Sequence, residues 1–251
     1  MEIYYSIVVF VFGTLLGSFY NVVGYRLPKG LSIVSPGSFC PKCNHELKWY
    51  ELVPVFSFLI QGGKCRKCKS RISLFYPTIE LLTGVLFLVS YLMFGFSTDF
   101  LISVIIASFL VIVIVSDINY LIIPDEVTIF FTLLSLMIAL KNGFNFGLEA
   151  VAGGIFVFCA MYFIMVLGNF IFKKESLGGG DIKLMFFTGT VIGPLNGLFS
   201  IFLSSAMALP ISIYVLLKKK SRIIPFGPFI LLATFIIFLF QFDIMNFINI
   251  K

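Results

Sequence analysis

Eight apolar runs, most of them close to the length that crosses a bilayer, constrain this 251-residue chain more than any other feature. They cover roughly Ile3–Val23, Pro77–Phe94, Phe100–Ser116, Pro124–Leu140, Leu148–Phe172, Ile182–Ile192, Leu198–Leu217 and Phe226–Phe247. A spanning helix needs about 20 mostly apolar residues. With 59% hydrophobic and 12% charged residues, the chain departs far from the roughly 45–50% and 25% of soluble domains. A soluble core of this size could not hide so much Phe, Ile, Leu and Val. The expected fold is therefore an all-α polytopic membrane protein of about eight transmembrane helices, with the lipid bilayer as its solvent. The sixth run is short and followed by Gly193-Pro194, so it is expected to tilt or to merge with the seventh through a broken helix. The first run has Glu2 rather than basic residues ahead of it and is too long for a signal-peptide core. It is read as a lasting first span.

Charge gives an independent test of topology. With the amino terminus outside, sixteen of the eighteen basic residues fall on the cytosolic side, nine of them in Gly24–Tyr76. Only Lys141 and Lys251 lie outside, as the positive-inside rule requires. A multi-pass membrane protein with both termini outside follows, and a bacterial-type plasma membrane is its expected location. The net charge of +6 is then an orientation signal and an attraction to anionic lipid. It calls for no nucleic-acid partner.

The segment Gly24–Tyr76 contains two knuckles, Cys40-Pro41-Lys42-Cys43 and Cys65-Arg66-Lys67-Cys68. Two C-x-x-C turns supply four thiolates, the ligand set of a closed tetrahedral zinc site. A redox dithiol or a pair of disulfides are the rivals. A reducing cytosolic face disfavours stable disulfides, and two spaced knuckles disfavour one redox pair. Four cysteines leave no open coordination position, so the zinc is expected to be structural, folding a small zinc-ribbon-like cytosolic loop. A catalytic zinc would also need a motif such as H-E-x-x-H, which the chain lacks. His45 reads as a surface residue of this loop, and Cys159, inside an apolar run, as a small packing residue.

Carboxylates at membrane depth cost about 2.5–3.5 kcal/mol on insertion scales, so each invites a functional reading. Asp117 ends the third run, and Asp181 opens the sixth behind Gly178-Gly179-Gly180. In the eight-span topology both sit at the same face and depth, the precondition for a catalytic dyad. Two close carboxylates share a proton, one activating water and the other protonating the scissile group. Helix dipoles would favour Asp181, at an amino terminus, as the anion and Asp117, at a carboxy terminus, as the neutral acid. Asp125, after Pro124, fits ordinary helix capping. Glu80 reads either as a third functional carboxylate or as a snorkelling interfacial residue. The triple glycine lacks the Lys-Ser/Thr of a phosphate loop; Gly178 and Gly180 are read as permitting close backbone approach.

In this order the pieces resemble the type IV prepilin peptidases, membrane aspartic proteases of the GxGD type. Gly17-Ser18-Phe19-Tyr20-Asn21 with Tyr25-Arg26-Leu27-Pro28 is similar to that family's amino-terminal signature. The two knuckles, Pro77-Thr78-Ile79-Glu80, Ile123-Pro124-Asp125 and Gly178-Gly179-Gly180-Asp181 follow. The resemblance implies that Asp117 and Asp181 are catalytic; Gly178, Gly180, Asp125 and Glu80 stand as supporting catalytic or substrate-positioning candidates. It implies cleavage of the basic leader of prepilin, pseudopilin or competence-pilin precursors at the cytosolic membrane boundary. Many members also N-methylate the new amino terminus with S-adenosylmethionine, an activity associated with the region that holds the cysteines. The implied organisation is a first transmembrane helix over 1–23, a four-cysteine zinc segment over 24–76 and a peptidase core over 77–251. A carboxylate-dependent transporter, or a pilus or secretion assembly scaffold with a structural zinc, is the rival from another class. It would place polar residues at mid-span rather than at one edge.

Overall fold

A computed structural model describes residues 1–173, 178–218, 224–242 and 244. The chain divides into two compact units, Met1–Phe96 and Ser97–Lys251. Lys174, Lys219, Lys220, Arg222 and Lys251, used above for topology, lie outside the described residues.

The first unit is built on a pair of long helices, α1 (Glu2–Arg26) and α3 (Phe75–Phe94). They approach closely because small residues line the seam. A Cβ on Gly13 would lie 2.9 Å from the Gly84 Cα, and one on Gly84 would lie 2.7 Å from the Thr14 Cγ2. Small residues at such a crossing are how helices associate where lipid supplies no hydrophobic drive between them. Between the two helices the chain forms 3-10 turns at Leu27–Lys29 and Trp49–Glu51 and a short helix α2 (Phe56–Ile60). Two isolated antiparallel bridges, Phe39 with Glu46 and Lys64 with Arg71, close the two cysteine knuckles into small hairpins. Arg26, at the end of α1, ties the loop down by donating to the carbonyls of Ser32 and Gly37 at 3.1 Å each.

The second unit surrounds α4 (Thr98–Tyr120), whose residues from Ile105 to Val113 are buried on every side. A helix apolar all round belongs at the centre of a bundle. Ser97 caps it by accepting from the Phe100 N–H at 3.1 Å. Around it stand α5 (Asp125–Asn142), α6 (Phe144–Phe172), α7 (Gly179–Leu217) and α8 (Gly227–Leu239). Phe109 of α4 stacks on Phe131 of α5 at 5.1 Å and meets Phe187 of α7 edge-on at 5.0 Å. Thr188 and Thr234 pair at 3.0 Å between α7 and α8. At the α6–α7 crossing a Cβ on Gly189 would stand 2.4 Å from the Gly153 carbonyl oxygen.

Among the described residues, five helices are long and apolar enough to cross a membrane: α1, α3, α4, α6 and α7. The fold is all-α, as expected for an integral membrane protein. The eight apolar runs map onto seven helices, because the sixth and seventh join as α7. Its helical path breaks at Gly193 (φ 78°, ψ 175°), directly before Pro194. In the eighth run α8 covers thirteen residues, and the far end of that run lies outside the described residues. Helix α5 carries Asp125, Glu126 and Lys141 at its ends. Cys159 is exposed on α6 rather than packed.

Candidate active site

Asp117 stands in the last turn of α4 and Asp181 in the first turn of α7. Leu121 adopts the left-handed conformation (φ 55°) and its N–H bonds the Asp117 carbonyl at 2.9 Å, ending α4 there. The chain then turns through Ile123 and Pro124 into α5. Asp117 is buried, at 5% exposure, and its carboxylate accepts from the Gly227 backbone N–H at the start of α8. Pro228 at the first positions of α8 suits a helix start, where a missing N–H costs nothing. The approach needs a glycine. A Cβ on Gly227 would lie 2.8 Å from the Ile123 Cδ1 and 3.2 Å from the Asp117 Oδ2.

Asp181 accepts from the Gly178 backbone N–H, and the Gly180 backbone abuts Ile123, where a Cβ would come within 3.1 Å. Ile123 thus touches the glycine beside Asp181 and the glycine beside Asp117. The Asp117 charge acts directly on the Asp181 carboxyl group. Four of the sequence candidates, Asp117, Asp181, Gly178 and Gly180, are therefore neighbours. Gly227 and Ile123 were missed by sequence reasoning as site residues. A Gly-Pro step opening an apolar run was the one available signal for Gly227.

The contact with α8 changes one expectation. Asp117 was expected to feel only the carboxy terminus of α4, yet the amino terminus of α8 also points at it. Asp117 thus lies between a carboxy and an amino terminus, whereas Asp181 meets an amino terminus alone.

Asp125 does more than open α5. Lys183, one half-turn beyond Asp181, reaches both of its carboxylate oxygens at 2.7 Å. This pair is half exposed on each side and borders an apolar cavity of about 660 Å³ between α5, α6 and α7. Ile129, Leu133, Leu136, Phe158 and Phe186 line it, with Cys159. Glu80 belongs to the first unit. It is buried, accepts from the Val55 N–H at 2.8 Å and hydrogen-bonds the Ser18 side chain. It ties the loop to α1 and α3.

The four knuckle cysteines form the second cluster. Their sulfurs all lie within 4.8 Å of one another. Cys40–Cys68 measures 3.8 Å and Cys43–Cys65 4.0 Å. A tetrahedral zinc with Zn–S of about 2.3 Å sets its sulfurs about 3.8 Å apart, so the donor set fits the ion. The knuckles repeat one local design. Cys40 N–H bonds the His45 carbonyl and Cys65 N–H the Ser70 carbonyl, each at 2.9 Å, with Asn44 and Lys69 both left-handed. Backbone N–H groups of Lys42 and Cys43 hold the Cys40 thiol down to about 6. The Ser70 hydroxyl likewise lowers Cys68. The His45 N–H works to lower Cys43, but burial and the neighbouring thiols outweigh it and push that thiol up to about 11. Glu51, its side chain 1% exposed, bridges the knuckles, meeting His45 at 3.3 Å and Arg66 at 3.8 Å. The Lys48 N–H, with help from His45 and Arg66, holds its carboxyl below the usual range despite burial. His45 is therefore a member of this bridge rather than a free surface residue.

Fold and site together define an integral membrane protein with paired carboxylates at helix ends and four cysteines placed so that they could hold a metal ion. The profile of the bacterial peptidase A24 N-terminal domain matches residues 11–94, and that of the type IV leader peptidase family matches residues 104–213. A prepilin leader peptidase/N-methyltransferase of Bacillus subtilis is 37% identical over 96% of both chains. Proteins of the same name from Vibrio cholerae (32% identical, 95% of this chain and 98% of that one) and Neisseria gonorrhoeae (31%, 91% and 88%) are also similar. No solved structure matches. The chain belongs to the type IV leader peptidase family.

Proposed function

We propose that this protein is a membrane aspartic endopeptidase that removes the leader of prepilin-type precursors, with Asp117 and Asp181 as its catalytic pair. The observation that carries the reading is their convergence: the last turn of α4 and the first turn of α7 bring the Asp117 charge to bear on the Asp181 carboxyl group. Two such groups hold one proton between them, and their titration belongs to the pair. The ionised member takes a proton from a water as it attacks the scissile carbonyl. The protonated member gives its proton to the substrate. Gly178 and Gly227 orient the two through backbone N–H groups, and Gly180 with Ile123 sets their spacing. The positive-inside distribution supports a cytosolic face for this pair and a plasma-membrane location. The apolar cavity beside Lys183 suits the apolar part of such a substrate. Asp125 and Glu80 are positioning residues, the first holding α5 to α7 and the second the loop to α3.

The cysteine cluster would hold a structural zinc through Cys40, Cys43, Cys65 and Cys68, closed to substrate. The relatives' names carry N-methyltransferase activity beside peptidase activity. We extend both to this chain and associate methylation with the segment 24–76. S-adenosylmethionine is the methyl donor this requires, and the geometry assigns no residue to it. The test is a reconstitution of the full chain in vesicles with a prepilin. A shortened pilin appears, and mass spectrometry finds one added methyl at its new amino terminus only when S-adenosylmethionine is supplied. An uncut precursor would refute the peptidase; a cut but never methylated product would refute the second activity alone.

A further inference from the structure

The loop between α1 and α3 exposes a strip that water should not tolerate. Trp49 is 80% exposed, Phe56 65%, Leu59 66% and Ile60 76%, all within one short stretch. Two buried acids hold this stretch from either side. Glu51 fixes the Trp49–Glu51 turn to both knuckles, and Glu80 accepts the Val55 N–H at 2.8 Å. Val55 itself has a positive φ (61°, with ψ −52°), a conformation β-branched residues avoid, so the Glu80 bond holds the strip in a defined direction.

That bond also sets a depth. Glu80 is five residues into α3, about 8 Å along its axis. The twenty residues of α3 make a helix about 30 Å long, the thickness of the hydrocarbon core. The Val55 N–H bonds the Glu80 carboxylate, so α2 starts beside the end of a membrane span rather than in free solution. Arg71, four residues ahead of α3, marks the headgroup level, while Lys48, Lys64, Arg66 and Lys67 are basic residues beside the apolar strip. An aromatic and aliphatic edge with basic flanks is what an anionic membrane interface accepts.

We propose that residues 49–60 dip into the cytosolic lipid interface, with Trp49, Phe56, Leu59 and Ile60 in the acyl–headgroup boundary. The knuckles are thereby held against the membrane surface and do not hang free in the cytosol. This rests on the membrane character of the chain alone and not on the proposed peptidase activity.

Trp49 is the chain's single tryptophan, so its fluorescence reports this strip without labelling. The full chain is reconstituted in vesicles of phosphatidylcholine and phosphatidylglycerol, with nitroxide-labelled lipid carrying its spin label near the carbonyl end of the acyl chain. Emission is expected at shorter wavelength than in the denatured chain, quenched by the labelled lipid and shielded from acrylamide in the water. Substituting Phe56, Leu59 and Ile60 together by Ser should shift the emission to longer wavelength and open Trp49 to acrylamide. A second reporter, Ile60→Trp in a Trp49→Phe background, should be quenched by the lipid label as well, and it decides the matter if the serine variant fails to fold. Emission reached by acrylamide and not by labelled lipid would overturn the proposal. So would short-wavelength emission that neither quencher reaches, since protein would then cover the strip.

Discussion

Asp117 was conspicuous in the sequence because a carboxylate at membrane depth is costly. What surrounds it was not. Gly227 reaches it from α8, and Ile123, from the turn after α4, packs against Gly227, contacts between segments that no local pattern records. Gly227→Ala adds a methyl group against Ile123 and toward the Asp117 carboxylate. Displacement by even a fraction of an ångström matters at such a centre. Cleavage is expected to fall about tenfold or more while thermal unfolding in detergent moves little. Asp125 marks the opposite case. Its partner Lys183 is remote in sequence, and the sequence showed only a helix-opening acid. The pair is half exposed, and such pairs contribute about 0.2–1 kcal/mol. Asp125→Asn should therefore lower stability by no more than that and keep cleavage within severalfold, as initial rates on a prepilin would report. A loss as deep as that of an Asp117 variant would promote Asp125 from positioning to catalysis.

The helices were legible as apolar runs, and the break in α7 as a Gly-Pro step, because backbone constraints are local. Helix ends inside apolar sequence were harder. The run that opens at Phe226 is apolar all round, so no periodic face tells where α8 stops, and the helix ends at Leu239. Crossings between helices were equally hidden. Gly153, Gly154 and Gly189 let α6 and α7 meet backbone to backbone. Gly189→Ala forces a Cβ to within 2.4 Å of the Gly153 carbonyl oxygen. Overpacking of this kind typically costs about 1–3 kcal/mol, so unfolding should occur at a lower temperature by several degrees. An unchanged melting profile would mean that the crossing relaxes freely.

At the scale of the molecule, the chain combines a helical membrane protein with a small four-cysteine loop. The cysteine spacing alone revealed the four-cysteine cluster, because two C-x-x-C turns are a short-range signature. The Glu51 bridge and the Glu80 tether were invisible, the first joining one knuckle to the other across the loop and the second joining the loop to α3. If zinc folds the loop, a strong chelator or Cys65→Ser should expose the segment 38–73 to added protease while the helical circular dichroism of the spans persists. Unchanged resistance would show that the two buried acids suffice without metal.

The proposed chemistry depends above all on the carboxylate pair. The most direct measurement is the cleavage rate of a prepilin by the reconstituted chain and by its Asp117→Asn, Asp181→Asn and doubly substituted variants. Residues acting as one unit do not add, so each single variant should lose about a thousandfold or more and the double variant little beyond that. Circular dichroism should stay that of the parent chain. A folded single variant that still cuts within about tenfold of the parent rate would contradict the dyad, since one carboxylate cannot both take and give the proton in one step.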